Sequence, residues 1–298
     1  AEAVETAIKT ARKWGYEAKG VPAEQAKILV CHGNFHGRTT TIVSFSDSES
    51  AKAGFGPFTP GFLHVDYGDA EVLEATLAAD ATIVAFLVEP VQGEAGVLVP
   101  PDGYLRAVRD SCTRHNVLFV ADEVQTGFGR TGEIFACERE GVLPDLYVLG
   151  KALGGGILPL SAVVARGDVM RVITPGTHGS TFGGNPLAVA VGRAVIELVK
   201  TGGYHRRSRD LGAHMLTRLR AEAPPCVKEV RGLGLWAGID IDPCAGTAHD
   251  VCERLLERGI IAKDTHRMTL RLAPPLTIGE DDLDQAIDTI LSVLAEQG

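Results

Sequence analysis

Short apolar runs alternate with longer segments of helical periodicity over the first two thirds of the chain. Consecutive apolar residues predict buried strands, and apolar spacings of three and four residues predict helices between them. This alternation is typical of an α/β fold with a mainly parallel sheet and helices on both faces. The predicted strands are residues 28–30, 83–88, 117–121, 146–149 and 162–165. The predicted helices are residues 69–79, residues 101–115 and a segment that begins after Asn185 and Pro186.

The pattern changes near residue 200, after a pair of glycines that favours the end of a helix. Further on, the spacing predicts helices over 204–221, over 248–258 and from Glu280, with strands over 227–230, 235–241 and 269–272. This order is typical of a smaller α+β unit. We therefore predict a large domain over residues 1–200 and a small C-terminal domain over residues 201–298.

The first sixteen residues carry apolar side chains at helical spacing, but no initiating methionine and no capping residue precede them. The sequence thus begins inside a predicted helix. We expect an N-terminal segment upstream, so that the large domain is N-terminally incomplete.

Composition narrows the classes of function. The 298 residues have a net charge of −9 without a long basic run, which disfavours nucleic acid and anionic membranes as partners. No apolar stretch is long enough for a membrane span. The six cysteines form no C-x-x-C pair, so we expect reduced thiols in the cytoplasm and no metal site. Small-molecule chemistry becomes the favoured class.

Asp122 ends an apolar run and is followed by Glu123. Ligands of open α/β sheets gather at the carboxyl ends of strands, where a buried carboxylate needs a cationic partner. A protonated pyridine nitrogen is one such partner. A helix cap or a salt bridge at the strand end is the structural alternative.

Lys151 follows the next apolar run and precedes Gly154, Gly155 and Gly156. A lysine in a desolvated position can form an imine with an aldehyde, and glycines allow a ligand to approach the backbone closely. A solvated surface lysine is the alternative. Together, Lys151 and Asp122 supply the two protein groups that pyridoxal 5'-phosphate needs.

Other segments carry weaker signals. Residues 176–185 include Ser180 and Thr181 just before a helix and could hold phosphate, or could simply be a glycine-rich connection. Phe35 and Arg38 could bind a planar ring and a carboxylate, or could be a core and a surface residue. The remaining candidates, for which structural ion pairs are the alternative, are Glu89, Glu94 and Arg271.

These segments, in this order, resemble the class III aminotransferases of pyridoxal-phosphate fold type I, and within them the ornithine aminotransferases. The resemblance covers essentially the whole chain. It rests on G-N-F-H-G-R-T at 33–39, G-F-G-P-F-T-P-G-F at 54–62, V-E-P-V-Q-G-E-A-G at 88–96, D-E-V-Q-T-G-F-G-R-T-G at 122–132, G-K-A-L-G-G-G at 150–156, H-G-S-T-F-G-G-N-P at 178–186 and L-R-L-A-P-P-L at 270–276.

The resemblance implies a role for each matching residue of the cofactor site. Lys151 would bond to the cofactor and shuttle the proton, and Asp122 would pair with the pyridine nitrogen. Phe35 and Val124 would contact the two ring faces, and Gln125 the ring hydroxyl. Thr181, with Ser180, would bind the phosphate across the interface of a homodimer.

The resemblance also implies the substrates, ornithine and 2-oxoglutarate or glutamate. Arg38 would bind the α-carboxylate of ornithine, so that the terminal amine reacts and glutamate-5-semialdehyde forms. Glu94 and Arg271 would form a gate that opens when Arg271 binds a dicarboxylate. His36 stands where ornithine enzymes often have a larger aromatic residue, so acetylornithine or another ω-amino acid stays open as the donor. A truncated, inactive relative is the third alternative.

Overall fold

The strands of the first part of the chain assemble into one sheet, in the order β2-β1-β3-β4-β5-β6. The structure is a computed structural model that describes residues 1–297. Neighbouring strands are parallel except β6, which is antiparallel to β5. The mainly parallel sheet predicted from the sequence is confirmed. The strands are β1 (Lys27–Cys31), β2 (Phe62–Val65), β3 (Ile83–Val88), β4 (Leu118–Asp122), β5 (Leu146–Leu149) and β6 (Ala162–Ala165).

Helices precede and connect these strands. Asp69 caps the fourth helix by accepting from two backbone amides, and Asn185 accepts from the backbone amide of Ala188 in the seventh. The helices up to this point are α1 (Glu2–Trp14), α2 (Thr40–Val43), α3 (Glu49–Lys52), α4 (Ala70–Ala79), α5 (Tyr104–Arg114), α6 (Gly167–Met170) and α7 (Pro186–Gly202). A π-helical turn, Gly15–Lys19, continues α1.

Helices cover both faces of the sheet. Alternate residues of a strand point to opposite faces and so pack in different cores. Ile28 and Val30 of β1 pack in the core that includes α1, whereas Leu29 and Cys31 pack in the core that includes α4 and α5. A strand buried on both faces requires a nearly continuous apolar run, as β3 has. Each fully buried large apolar side chain contributes about 1.5–3 kcal/mol.

Strand β2 is absent from the predicted elements. It lies at the edge of the sheet, and three of its four residues are only partly buried. His64 also interrupts its apolar run. An edge strand forms largely because it pairs with its neighbour, so its own sequence shows only a weak apolar pattern.

The second sheet is antiparallel, with the order β7-β8-β10-β9. Helices on this sheet bury an apolar face in a single core, which agrees with the predicted α+β unit. The polar three-residue strand β9 is absent from the predicted elements. The strands are β7 (Val227–Gly232), β8 (Ala237–Ile241), β9 (Lys263–Thr265) and β10 (Thr269–Leu272). The helices are α8 (Tyr204–Ala221), α9 (Ala248–Glu257) and α10 (Glu280–Ala295).

The chain separates into two units that are not continuous in sequence. Unit 1 comprises Ala1–Pro90, Pro100–Thr126 and Cys137–Leu198. Unit 2 comprises Val91–Val99, Gly127–Ala136 and Val199–Gly298. Two segments of the predicted large domain thus belong to unit 2, and a division into domains at residue 200 stays a prediction.

Two kinds of feature are absent from residues 1–297. No helix there is long and apolar enough to cross a membrane. In the same range, no group of three or more histidine, cysteine or acidic side chains is arranged to hold a metal ion.

Candidate active site

Four parallel strands of unit 1 end at one edge of the sheet, and their following residues line a cavity of about 800 Å³. Strand β4 contributes Asp122, and Glu89 follows β3 directly. Lys151 lies two residues beyond β5, and Phe35 lies four residues beyond β1. Because parallel strands share the direction of their carboxyl ends, residues distant in sequence meet at this edge. The cavity is of a size that takes a small ligand.

A buried ion pair lies at the base of this cavity. The Nδ1 atom of His36 is 2.7 Å from Oδ2 of Asp122, and the side chains are 0% and 5% exposed. Burial by itself would lower the pKa of His36, but the hydrogen bond to Asp122 and the charge of that carboxylate raise it above the ordinary value. The backbone amide of Val124 donates to the other Asp122 oxygen. Asp122 is thus held in place by two donors, one of them a histidine whose protonated form the carboxylate favours.

Glu89 is a second buried acid on the same cavity. Its Oε2 atom accepts a hydrogen bond from the backbone amide of Phe35 at 3.0 Å. Burial raises the pKa of Glu89 to about 7, with the negative charge of Asp122 acting in the same direction. The positive charges of His36 and Lys151 oppose this rise. Glu89 therefore changes protonation near neutral pH.

Glu123, the neighbour of Asp122, has a structural role. It is fully buried, and its Oε1 atom accepts from the backbone amide of Cys137 at 3.0 Å. Its Oε2 atom accepts from the hydroxyl of Thr126. Successive residues of an extended chain face opposite sides of the sheet. The two adjacent acids therefore differ: Asp122 lines the cavity, and Glu123 accepts hydrogen bonds away from it.

Lys151 lies on a strained turn. It begins the 3₁₀ turn Lys151–Gly154 with a φ of 42°, a region that residues other than glycine seldom adopt. Such strain costs about 1–3 kcal/mol, persists only where the surroundings impose it, and is concentrated at functional sites. The turn brings Lys151 to the lining of the cavity that also contains Asp122.

Of the ten residues to which the resemblance assigns a role, six lie on one cavity and four lie elsewhere. Those on the cavity are Phe35, Asp122, Val124, Gln125, Lys151 and Ser180. Among the described residues, the lining does not include Arg38 or Thr181. The Arg38 guanidinium lies 5.8 Å from the centre of the Phe35 ring, and both Arg38 and Thr181 are exposed.

Glu94 and Arg271 belong to unit 2, where they form an ion pair. Nη1 of Arg271 donates to Oε1 of Glu94 at 2.8 Å, and the side chains are 14% and 23% exposed. The second carboxylate oxygen, Oε2, accepts from Nζ of Lys263 at 3.0 Å. We call the Glu94–Arg271 pair the gate, after the role that the resemblance implies.

Sequence reasoning did not identify His36 or Lys263 as partners of the site acids. His36 is 86 positions from Asp122, and Lys263 is 169 positions from Glu94. The only local signals were that His36 adjoins Phe35 and that Lys263 lies near Arg271. A histidine near a strand end can have many different roles, so its position next to Phe35 in the sequence does not indicate which residue it contacts.

The cavity has the donor set that pyridoxal phosphate requires. It combines the amine of Lys151, a carboxylate with a hydrogen-bonded cation and the ring of Phe35. These are the groups for a covalent bond, a ring-nitrogen partner and ring contact. The residues therefore fit this cofactor.

Comparisons with known proteins agree with this chemistry. The model of the family "Aminotransferase class-III" matches residues 1–294. Ornithine aminotransferase of Brevibacillus brevis is 50% identical over 294 residues, which are 99% of this chain and 72% of that protein. The solved ornithine aminotransferase of Toxoplasma gondii has a TM-score of 0.97 and 44% identity, covering 99% of this chain and 70% of its own. Another structure of that enzyme is described with partial occupancy of pyridoxal phosphate at its active site.

An acetylornithine aminotransferase is also similar in structure. The enzyme from Elizabethkingia anophelis has a TM-score of 0.87 and 44% identity, and the match covers 99% of this chain and 72% of the other. Proteins with this fold therefore include aminotransferases that are named for different amino donors.

Proposed function

We propose, for a chain that belongs to the class-III aminotransferase family, the transfer of the δ-amino group of ornithine to 2-oxoglutarate. The products are glutamate-5-semialdehyde and glutamate. The observation that carries the proposal is the strand-end cavity that contains both Lys151 and the Asp122–His36 pair. The 50% identity to an ornithine aminotransferase over nearly the whole chain supports the choice of donor.

Pyridoxal phosphate is the cofactor of the proposed reaction, and it supplies an electron sink for the carbon that loses its proton. Lys151 would bond to it, and Asp122 would lie against its ring nitrogen. Phe35 and Val124 would contact the two faces of the ring, and Gln125 would bind the ring hydroxyl. Thr181, with Ser180, would bind the phosphate across the dimer interface.

The Asp122–His36 pair carries charge at a site that is shielded from water. An isolated carboxylate in such a place costs several kcal/mol and would take up a proton. His36 donates to Asp122, and the backbone amide of Val124 donates as well, so both carboxylate oxygens have a hydrogen-bond partner. An anionic Asp122 favours a protonated ring nitrogen, which strengthens the electron sink.

Lys151 performs the proton transfer in the proposed reaction. Once the δ-amine of ornithine has displaced Lys151 from the cofactor, the freed Nζ atom would take the proton from the δ-carbon of ornithine. General acid–base transfer of this kind contributes about 10²–10⁴-fold to the rate. The strained turn at Lys151 supports this role because it fixes the start of the side chain at the cavity.

One site must accept a cationic donor and a dicarboxylate in turn. Arg38 would hold the α-carboxylate of ornithine, which leaves the δ-amine to react. Arg271 stays paired with Glu94 while ornithine is bound and then binds a carboxylate of 2-oxoglutarate. An arginine suits this role because its planar fork matches a carboxylate.

We further propose a homodimer with shared active sites. Unit 1 exposes large apolar side chains at Ile157, Phe182, Leu187 and Leu198, with exposed fractions of 57% to 82%. Large apolar side chains with this much exposure are typical of surfaces that a partner protein covers. Thr181 adjoins Phe182 in sequence, which supports a contact from Thr181 to the partner's cofactor.

The remaining partners and the location are part of the same proposal. The cysteines are free thiols, which supports a reducing compartment such as the cytoplasm. Small molecules are the partners, and neither nucleic acid nor a membrane has a role in the proposed reaction.

Steady-state assays with two donors test the function. With 2-oxoglutarate and pyridoxal phosphate, we expect trapped semialdehyde from ornithine and a much smaller kcat/KM with acetylornithine. Lys151→Ala should lose turnover by at least about 10³-fold and lose the visible absorbance of the bound cofactor. Lys52→Ala, a lysine of unit 1 outside the cavity, is the matched control.

Three outcomes would contradict the proposal. A preference for acetylornithine would reassign the donor while keeping the chemistry. Normal turnover in Lys151→Ala would remove that lysine from the mechanism. Failure of the unmodified chain to bind the cofactor would favour an inactive relative.

A further inference from the structure

Glu94 lies on a hairpin whose backbone is fixed to the sheet of unit 2. Gln92 and Leu98 exchange two backbone hydrogen bonds at the base of the hairpin. Nε of Arg231 donates to the carbonyl of Gly96 at 2.8 Å. A Cβ atom at Gly238 would lie 2.4 Å from that same carbonyl oxygen, so only glycine allows β8 to approach this closely. The hairpin that bears Glu94 is therefore held in place.

Two cations lie opposite each other on the neighbouring strands. Lys263 of β9 and Arg271 of β10 are register partners in an antiparallel pair. Like charges directly opposite destabilise a sheet unless an anion compensates them. Glu94 does so with one oxygen for each cation, at 3.0 Å and 2.8 Å.

Both cations act on the charge of Glu94. Burial would raise the pKa of Glu94, but the hydrogen bonds and charges of Arg271 and Lys263 lower it to about 2. The hydroxyl of Thr265 donates to the backbone carbonyl of Glu94 and ties β9 to the hairpin. This contact holds the strand that carries Lys263 beside the hairpin that carries Glu94, independently of the Arg271 side chain.

We propose that Lys263 is a specificity-determining positioning residue, which compensates Glu94 when Arg271 leaves it to bind the carboxylate of 2-oxoglutarate. The inference rests on the proposed function. A half-buried carboxylate without a cation is costly, so the gate would open less readily if Arg271 were its only partner. This compensation increases the affinity for the dicarboxylate.

Neutral and charged substitutions at residue 263 test this inference. Lys263→Met should lower kcat/KM for 2-oxoglutarate relative to that for ornithine by about threefold to fivefold, as expected for loss of a partly exposed ion pair. The loss should arise from KM rather than kcat. Lys263→Arg should restore the ratio. Lys228→Met is the matched control, because Lys228 is 55% exposed in the same unit and pairs with Asp242.

A double substitution tests whether the effect of Lys263→Met on substrate selectivity depends on the Glu94 carboxylate. In a Glu94→Gln background, Lys263→Met should leave the ratio unchanged, because no carboxylate remains to compensate. Calorimetric binding of glutarate to the holoenzyme should weaken in Lys263→Met by the same factor as KM rises.

The inference is overturned if Lys263→Met behaves as Lys228→Met does, or if its effect persists in the Glu94→Gln background. Equal losses for both substrates would also overturn it, since that points to a structural role. Failure of the proposed function looks different: the unmodified holoenzyme would then neither transaminate ornithine nor bind glutarate.

Discussion

The acid at the cavity of unit 1 and the acid of the gate in unit 2 differ in their contact with water. Asp122 and His36 are 5% and 0% exposed, whereas Glu94, Arg271 and Lys263 are 23%, 14% and 58% exposed. Separating a buried pair leaves a charge with little solvation, which makes the pair persistent. A partly exposed cluster exchanges partners at smaller cost. The first arrangement suits a fixed contact, and the second suits a contact that changes in each catalytic cycle.

Of these two arrangements, the buried pair should give the larger effect when it is broken. Asp122→Asn keeps the shape of the side chain but removes the charge that would face the ring nitrogen of pyridoxal phosphate. The value of kcat should therefore fall by about 10²–10³-fold. Cofactor affinity should fall as well. Steady-state kinetics and equilibrium dialysis of the cofactor measure the two effects.

Asp168→Asn provides the control for that experiment. Asp168 is an acid of the same unit that is 57% exposed and pairs with Arg166. Its substitution should leave kcat within about twofold, as is usual for an exposed pair. Equal losses in the two variants would mean that Asp122 has no special role.

A smaller effect is expected at the gate, where charge removal changes selectivity rather than rate. Glu94→Gln releases Arg271, so KM for 2-oxoglutarate should fall by about threefold while KM for ornithine rises. Half-reaction kinetics with each substrate measure this change. A fall in kcat as large as that of Asp122→Asn would remove the distinction between a fixed and an exchangeable pair.

The smallest effect concerns stability at Glu89, a buried acid that accepts its hydrogen bond from a backbone amide. Its pKa rises from 4.5 to about 7 in the folded protein. A carboxyl whose folded pKa is raised contributes stability that is lost as pH rises through that range. Glu89→Gln should therefore raise the free energy of unfolding by about 1–3 kcal/mol at about pH 8 and leave it nearly unchanged at about pH 4.

Denaturant unfolding at both pH values measures this difference. Glu71→Gln, on the exposed surface of α4, is the control and should show no such pH dependence. A gain of the same size at both pH values would mean that the substitution acts through packing.

The apolar pattern predicted most of the long strands and helices, and it placed Asp122 and Lys151 at the ends of two predicted strands. Buried strands have long apolar runs, and amphipathic helices have a regular period, so both are visible locally. Parallel strands present their carboxyl ends at one edge, so the strand pattern alone predicts that Asp122 and Lys151 lie close together. The edge strands β2 and β9 could not be found, because pairing rather than their own residues defines them.

The partners of these residues follow from the packing of the chain and not from the apolar pattern. Asp122 pairs with His36 and Glu94 with Lys263, although each pair is far apart in the chain. Of the adjacent acids, it assigned Asp122 to the cavity and Glu123 to backbone hydrogen bonds. Such pairings depend on strand order, register and the exclusion of water. These are properties of the packed chain, and no local spacing encodes them.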